Sequence, residues 1–272
     1  MTFQKDVETR YGGLMPAKPL IEATAVMEQM MSHRSVRSYE DRPLPEGMLE
    51  TLLAAGQSGA SSSNMQAISI VAVRDPARKA ELAEMGRQPF LATAPVILCF
   101  VADHSRAARI GARTGVDLFT LPYMDNLLAA TCDCAIVAQN MVLAAESLGV
   151  GSCYVGNLRN EPARLAKLLN LPPRAVVIFG LTMGYEAPPV TGVRPRLPQG
   201  VVLHEETYNR DEAAEAQIMA EYDAVFARHE AGQNRPPVTF SQRNAERYAS
   251  AEYLSGRDKL KAQLQDMGFP LL

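Results

Sequence analysis

Residues 125–148 read DNLLAATCDCAIVAQNMVLAAESL, and how this stretch is covered decides the fold. It is apolar almost all round, interrupted only by Asp125, Asp133, Gln139, Asn140 and Glu146. A helix that is apolar on every face has to be covered on every face. The polar side chains argue against a membrane span. The stretch therefore predicts a central core helix, covered by the rest of the chain and by a second subunit.

On either side lie short β-branched runs bounded by polar residues or proline. Ile68 to Val73, Val96 to Val101, Val150 to Val155 and Ala175 to Leu181 each read as a strand. Between the first two, Pro76 to Gly86 carries the charge pattern of an exposed helix, with Asp75 as its cap and Pro76 at its first position. Leu20 to Met31, Glu46 to Gln57 and Glu161 to Leu169 show helical spacing. Strands separated by helices fit either α/β or α+β layering. Residues 1–19 read as an arm, in which Gly12-Gly13 and two prolines break any regular element. Residues 20–210 form the core. A proline-rich stretch runs from Pro188 to Pro198, and residues 211–272 are a helical extension that wraps the core or a partner, with loops near Gly232 to Pro237 and at Ser255-Gly256. The whole reads as one domain.

Bulk properties narrow the function. The 272 residues carry a formal net charge of −3, so no basic footprint exists for nucleic acid. Four cysteines, Cys99, Cys132, Cys134 and Cys153, do not make a disulfide framework, and the expected compartment is a reducing cytoplasm. The amino terminus lacks the basic-then-apolar pattern of a signal peptide, and no uncharged apolar run reaches the ~18 residues of a membrane helix.

Four stretches carry polar chemistry. In His33-Arg34-Ser35-Val36-Arg37, an extended backbone puts His33, Ser35 and Arg37 on one face. Cationic donors around a hydroxyl suit a phosphate monoester; a solvated basic loop is the alternative. Gly59 to Gln66 places small hydroxyls and amides, among them Ser61, Ser63 and Gln66, before a strand. Such a loop approaches the edge of a planar heterocycle, or is simply a flexible serine loop. Gly151 to Asn157 has glycines on both sides of a short strand, for close approach of a ligand or for a bulge. Arg194-Pro195-Arg196 holds two guanidiniums at a stiffened spacing, or is a surface turn. No GxGxxG opens a βαβ unit, no GxxxxGK[ST] loop occurs and no GxSxG elbow is present. Cys132 and Cys134, two apart on a helix, do not face each other, and the histidines do not pair at metal-ligand spacing, so no metal is expected.

Six pieces in order resemble the FMN- and NADPH-dependent nitroreductases, specifically the branch of oxygen-insensitive NADPH nitroreductase and flavin reductase P. They are HRSVRSY at 33–39, SSSNMQ at 61–66, VAQNMVLAAESLGVGSCYVGNLRN at 137–160, LLNLP at 168–172, IFGLTMGY at 178–185 and RPRLP at 194–198. The resemblance implies an α+β fold with a central, mainly antiparallel sheet flanked by helices, in an intertwined homodimer with FMN at the interface. By that likeness His33, Arg34, Ser35 and Arg37 hold the phosphate and ribityl chain, and Arg194 and Arg196 join them. Ser61 and Ser63 come from the other subunit, with Gln66 in the same loop. Gln88 and Phe90 lie near the ring, and Tyr154, Val155, Gly156 and Asn157 lie along it on the other side. Arg235 and Arg257 are the candidates for the 2′-phosphate of NADPH. No catalytic side chain is implied, because the reaction occurs at the flavin.

Three positions depart from that branch, where Lys is frequent in place of Arg194, Gly in place of Asn157 and a polar residue in place of Pro89. The implied activity is ping-pong hydride transfer from NADPH or NADH to a small acceptor, such as a nitroaromatic, a quinone or free flavin, with neither nucleic acid nor membrane as partner. Two other readings stand beside it: a flavin-binding sensory or structural module without turnover, and a specialised reductase such as a dehalogenase.

Overall fold

The structure, a computed structural model, describes residues 3–190 and 192–272. In chain order, α1 spans Phe3–Tyr11, α2 Ala25–Met31 and α3 Met48–Gln57. Strand β1 (Ile68–Val73) leads through α4 (Pro76–Gly86) to β2 (Val96–Asp103). Then come α5 (Ser105–Thr114), α6 (Met124–Ser147), β3 (Gly151–Val155), α7 (Pro162–Leu168) and β4 (Ala175–Gly184). The remainder is helical: α8 (Gln199–Val202), α9 (Glu212–Gly232), α10 (Phe240–Ala249) and α11 (Leu260–Asp266).

The chain divides into two compact units. One comprises Ser35–Val190 with Leu254–Leu272 and contains the sheet; the other comprises Met1–Arg34 with Thr191–Tyr253 and is helical. In the sheet unit the strand order is β1-β2-β4-β3 and every pairing is antiparallel. This is the α+β architecture, with helices on both faces of the sheet. Alternation along β2 explains why all its residues are buried. Val96, Leu98 and Phe100 pack with Leu52 of α3 and with Val137, Met141 and Val142 of α6. Ile97, Cys99 and Val101 face the other way, onto Leu82 and Met85 of α4. Burial without a charge partner pushes the Cys99 thiol up to about 12.

Each border of the sheet is occupied in part. Beyond β3, Ser35 bridges to Ser152 in parallel. Beside β1, the Arg106 guanidinium donates to the carbonyls of Gln66 at 2.8 Å and Ile68 at 2.9 Å.

The central helix is covered on one side only. Asp133, Cys134, Val137 and Met141 of α6 are buried, whereas Met124, Leu128, Cys132 and Ile136 are exposed. Cys132 and Cys134 thus lie on different sides of the helix. Of the described helices, α6 is the one long and apolar enough to cross a membrane, with a mean hydropathy of 1.6.

Several boundaries differ from the sequence expectation. Helix α1 precedes Gly12-Gly13, where the breakers of residues 1–19 suggest no regular element. The breakers act after it: Gly12 and Gly13 both take positive φ and end the helix. The helix expected from Leu20 begins only at Ala25, where the Thr24 side chain caps it by accepting from Met27 N. The helix expected from Glu46 begins at Met48, after Gly47 in the left-handed region. Asp75 caps α4 as expected, accepting from Arg78 N at 2.9 Å.

Candidate functional site

In the sheet unit the basic stretch is clamped to β3. Val36 N donates to Ser152 O at 2.8 Å, and the Val36 side chain is buried. Gly151 makes this approach possible, because a Cβ there would stand 2.5 Å from Val36 Cγ2. The Tyr39 hydroxyl lies 2.7 Å from Val36 O and 2.6 Å from Thr182 Oγ1, tying the end of the stretch to β4. Burial raises the Tyr39 phenol well above its ordinary value, so it stays protonated. With Val36 turned inward, Arg37 is left exposed. Burial also raises the Cys153 thiol, while the charge of Arg37 and a hydrogen bond to Ser35 pull it back. Ser35, Arg37 and Cys153 are therefore neighbours. The hydroxyl of Ser152 is buried and has no hydrogen-bond partner among the described residues.

The serine loop is fastened to α6 by Asp133. This carboxylate, 1% exposed, accepts from Ser61 Oγ at 2.5 Å and Ser62 N at 2.8 Å, while Ser61 Oγ accepts from Gln66 N at 2.9 Å. Ser63, Asn64 and Gln66 have φ of 47°, 54° and 50°. Left-handed backbone at three non-glycine residues is strain of the kind that concentrates at ligand sites. Beside the loop is a cavity of about 460 Å³ lined by Ser61, Asn64, Gln66, Arg106 and Asp133 among others.

After β3 the chain turns sharply. Tyr154 and Val155 point to opposite faces. The Tyr154 ring meets Phe179 edge-on at 5.2 Å and its hydroxyl donates to Gln139 Oε1 at 3.3 Å, while Val155 is buried on the α4 side. Gly156 and Asn157 open a short 3-10 turn, Gly156–Asn160. Arg257 donates to Asn157 Oδ1 at 3.1 Å and Asn160 Oδ1 at 2.9 Å, so the structure brings together two residues singled out for different reasons. Gln88 is half-buried at the start of the turn Pro89–Ala92, and Phe90 packs against the core.

The helical unit holds the rest. Arg194 and Arg196 are both exposed, and His33 and Arg34 are half-buried. Glu230, fully buried, binds Arg194 at 3.1 Å, Arg235 at 3.3 Å and Arg243 at 2.7 Å. Burial alone would raise this carboxyl; the Arg243 hydrogen bond and the charges of Arg235, Arg243 and Arg194 outweigh it and hold the group below its usual range. One carboxylate facing three guanidiniums leaves a net positive field. It lies against a cavity of about 800 Å³ lined by Tyr11, Arg194, Arg196, Phe226, Arg243 and Arg247, among others.

The sequence profile of the Nitroreductase family matches residues 30–85 and 78–185, and that of the Nitroreductase family C-terminal domain matches 194–272. The chain belongs to the nitroreductase family. It is an oxidoreductase by that membership. The FMN reductase (NADPH) of Bacillus subtilis is 36% identical over 203 residues, 74% of this chain and 81% of that protein. The NADPH-flavin oxidoreductase of Vibrio harveyi is 38% identical over 185 residues, 67% of this chain and 74% of that protein. A B. subtilis nitroreductase structure superposes with a TM-score of 0.84 at 31% identity, covering 90% of this chain and 99% of its own. The V. harveyi NADPH:FMN oxidoreductase, solved in complex with NAD+, gives 0.78 at 31% identity, covering 91% and 99%.

The donor set of this nitroreductase suits a phosphate-bearing planar ligand. It offers exposed guanidiniums, a strained hydroxyl and amide loop, and an orphaned buried hydroxyl beside Ser35. The residues that sequence reasoning did not weigh as part of a site are the ones holding it in place. Asp133 carried a signal, since an acid in an apolar helix needs donors nearby. Glu230 carried none that a linear reading could separate from other surface acids.

Proposed function

We propose that the chain is an FMN-dependent NAD(P)H oxidoreductase that reduces small organic acceptors such as quinones, nitroaromatics or free flavin. The observation that carries this reading is the bridge between Ser35 and Ser152, which sets the basic stretch beside the strand leading to Tyr154–Asn157. Two segments far apart in sequence, one suited to a phosphate and one to a ring, are thereby neighbours. The relatives named for FMN reduction with NADPH support the same conclusion.

Bound here, FMN would supply two-electron redox chemistry between NAD(P)H and the acceptor in ping-pong fashion. His33, Arg34, Ser35, Arg37, Arg194 and Arg196 hold its phosphate and ribityl chain, with paired guanidinium hydrogen bonds as the source of affinity. Gln88, Phe90, Tyr154, Val155, Gly156 and Asn157 bound the ring, and Gln66 goes with the loop of Ser61 and Ser63. Cationic side chains close to the ring would favour added negative charge there. Arg235 and Arg257 favour NADPH through its 2′-phosphate. The assembly is a homodimer in which Ser61 and Ser63 serve the site of the second copy. The exposed apolar side of α6 supports this, because an uncovered stripe including Leu128, at 52% exposure, and Ile136 calls for a partner surface.

Arg37→Ala tests the assignment directly. Isothermal titration of the apo-protein with FMN is expected to show binding weakened by about 1.5–3 kcal/mol, the scale of a charged hydrogen bond; unchanged affinity refutes the role of Arg37. A steady-state comparison of NADPH with NADH across an acceptor panel tests turnover. A yellow protein that oxidises neither would instead be a flavin-binding module.

A further inference from the structure

We propose that Arg10, on the amino-terminal helix, is a positioning residue for the phosphate of FMN; the inference rests on the flavin reading above. Helix α1 lies ahead of residue 30, where the family match begins. Its inner face is made by Val7 and Arg10, and the Arg10 side chain is buried, with 6% exposure for the residue.

A guanidinium withdrawn from water has to be compensated by acceptors. Arg10 finds them in two backbone stretches. Its Nη2 donates to Met31 O and His33 O, each at 2.7 Å, and its Nη1 donates to Arg194 O at 3.2 Å. Its own carbonyl accepts from Arg196 N at 2.9 Å. One buried residue thus staples the stretch ending in His33-Arg34 to the stretch Arg194-Pro195-Arg196. Those two stretches supply four of the six residues assigned to the phosphate and ribityl chain. All of them lie in the helical unit with α1.

The neighbours of Arg10 seat the helix independently. Tyr11 OH accepts from Gln199 Nε2 at 3.4 Å. Gly12 has φ of 60°, and a Cβ there would overlap Val225 on α9, so only glycine lets the chain turn this close to that helix. The segment Arg10-Tyr11-Gly12 is built into the unit. Arg10 acts through what it spaces: it holds like-charged side chains at a fixed separation before the anion arrives, so that less ordering remains to be done on binding.

The test uses the full-length apo-protein and compares FMN with riboflavin, which lacks the phosphate, by flavin-fluorescence titration. For Arg10→Met, which keeps length and loses every donor, the expected result is an FMN dissociation constant raised about tenfold with riboflavin affinity unchanged. Arg10→Lys, whose ammonium lacks the fork that reaches separate carbonyls, is expected to lose part of the same preference. Thermal unfolding of each apo-variant establishes that it is folded, and if Arg10→Met is not, Arg10→Lys decides. An equal loss for both flavins, or a wild-type preference kept in a folded variant, overturns the proposal. Arg196→Ala separates this from failure of the flavin reading. Loss of preference there but not at Arg10 sinks only the positioning role, whereas a wild-type protein that binds neither flavin sinks the reading beneath it.

Discussion

Glu230 is the side chain on which the charge balance of the helical unit turns. Its carboxylate is buried and faces Arg194, Arg235 and Arg243. Replacing it by Gln leaves those guanidiniums to repel one another. Because each is partly exposed, water screens the repulsion, and the expected loss of stability is about 2 kcal/mol, read from denaturant unfolding at neutral pH. The pH dependence has a definite sign. The folded state holds this carboxyl below its ordinary value of 4.5, so its contribution is complete above that range and is lost as the pH falls through the lowered value. The difference between wild type and Glu230→Gln is therefore expected to shrink on acidification; a gap that widens in acid contradicts the arrangement. Little of this was legible in the sequence. Arg194 and Arg235 stand out there as cations, but the partner they share with Arg243 becomes visible only when α9 and α10 come together, because a charge seeks its partner through space.

At the scale of elements, the serine loop depends on the helix behind it. Asp133 holds Ser61 and Ser62 while the loop adopts left-handed backbone at Ser63, Asn64 and Gln66. Asp133→Ala removes the acceptor from both, at an expected cost of about 2–3 kcal/mol. Amide exchange is expected to accelerate at residues 61–66 well before the rest of α6 responds, and exchange confined to the helix would show that the loop does not lean on Asp133. The four strands were legible from their β-branched runs, as was α6 from its length and composition, since both signals are local and strong. Helix α1 was not, because its nine residues carry only weak apolar periodicity and are held by Val7 and Arg10 against distant chain. The start of α2 was misplaced for a related reason: helical spacing extends to Leu20, but the capping hydroxyl belongs to Thr24.

For the molecule as a whole, the bare side of α6 is the surface on which the proposed dimer is tested. Leu128→Glu together with Ile136→Glu places charges on that side without touching the buried side, where Val137 and Met141 pack. Light scattering is expected to show a dimer for the wild type and a monomer for the double variant, with FMN affinity falling alongside. A variant that stays dimeric and keeps its flavin would place the shared surface elsewhere. The sequence pointed to this surface because an all-round apolar helix has more faces than one chain can cover. The sheet itself is guarded differently. Outside β3 lies Ser35, and the Arg106 guanidinium fills carbonyls next to β1 that an incoming strand would need. With part of each margin taken, the sheet gives less template for runaway strand addition, and an apolar helical surface that pairs with its own copy can close as a pair instead of growing into a fibril.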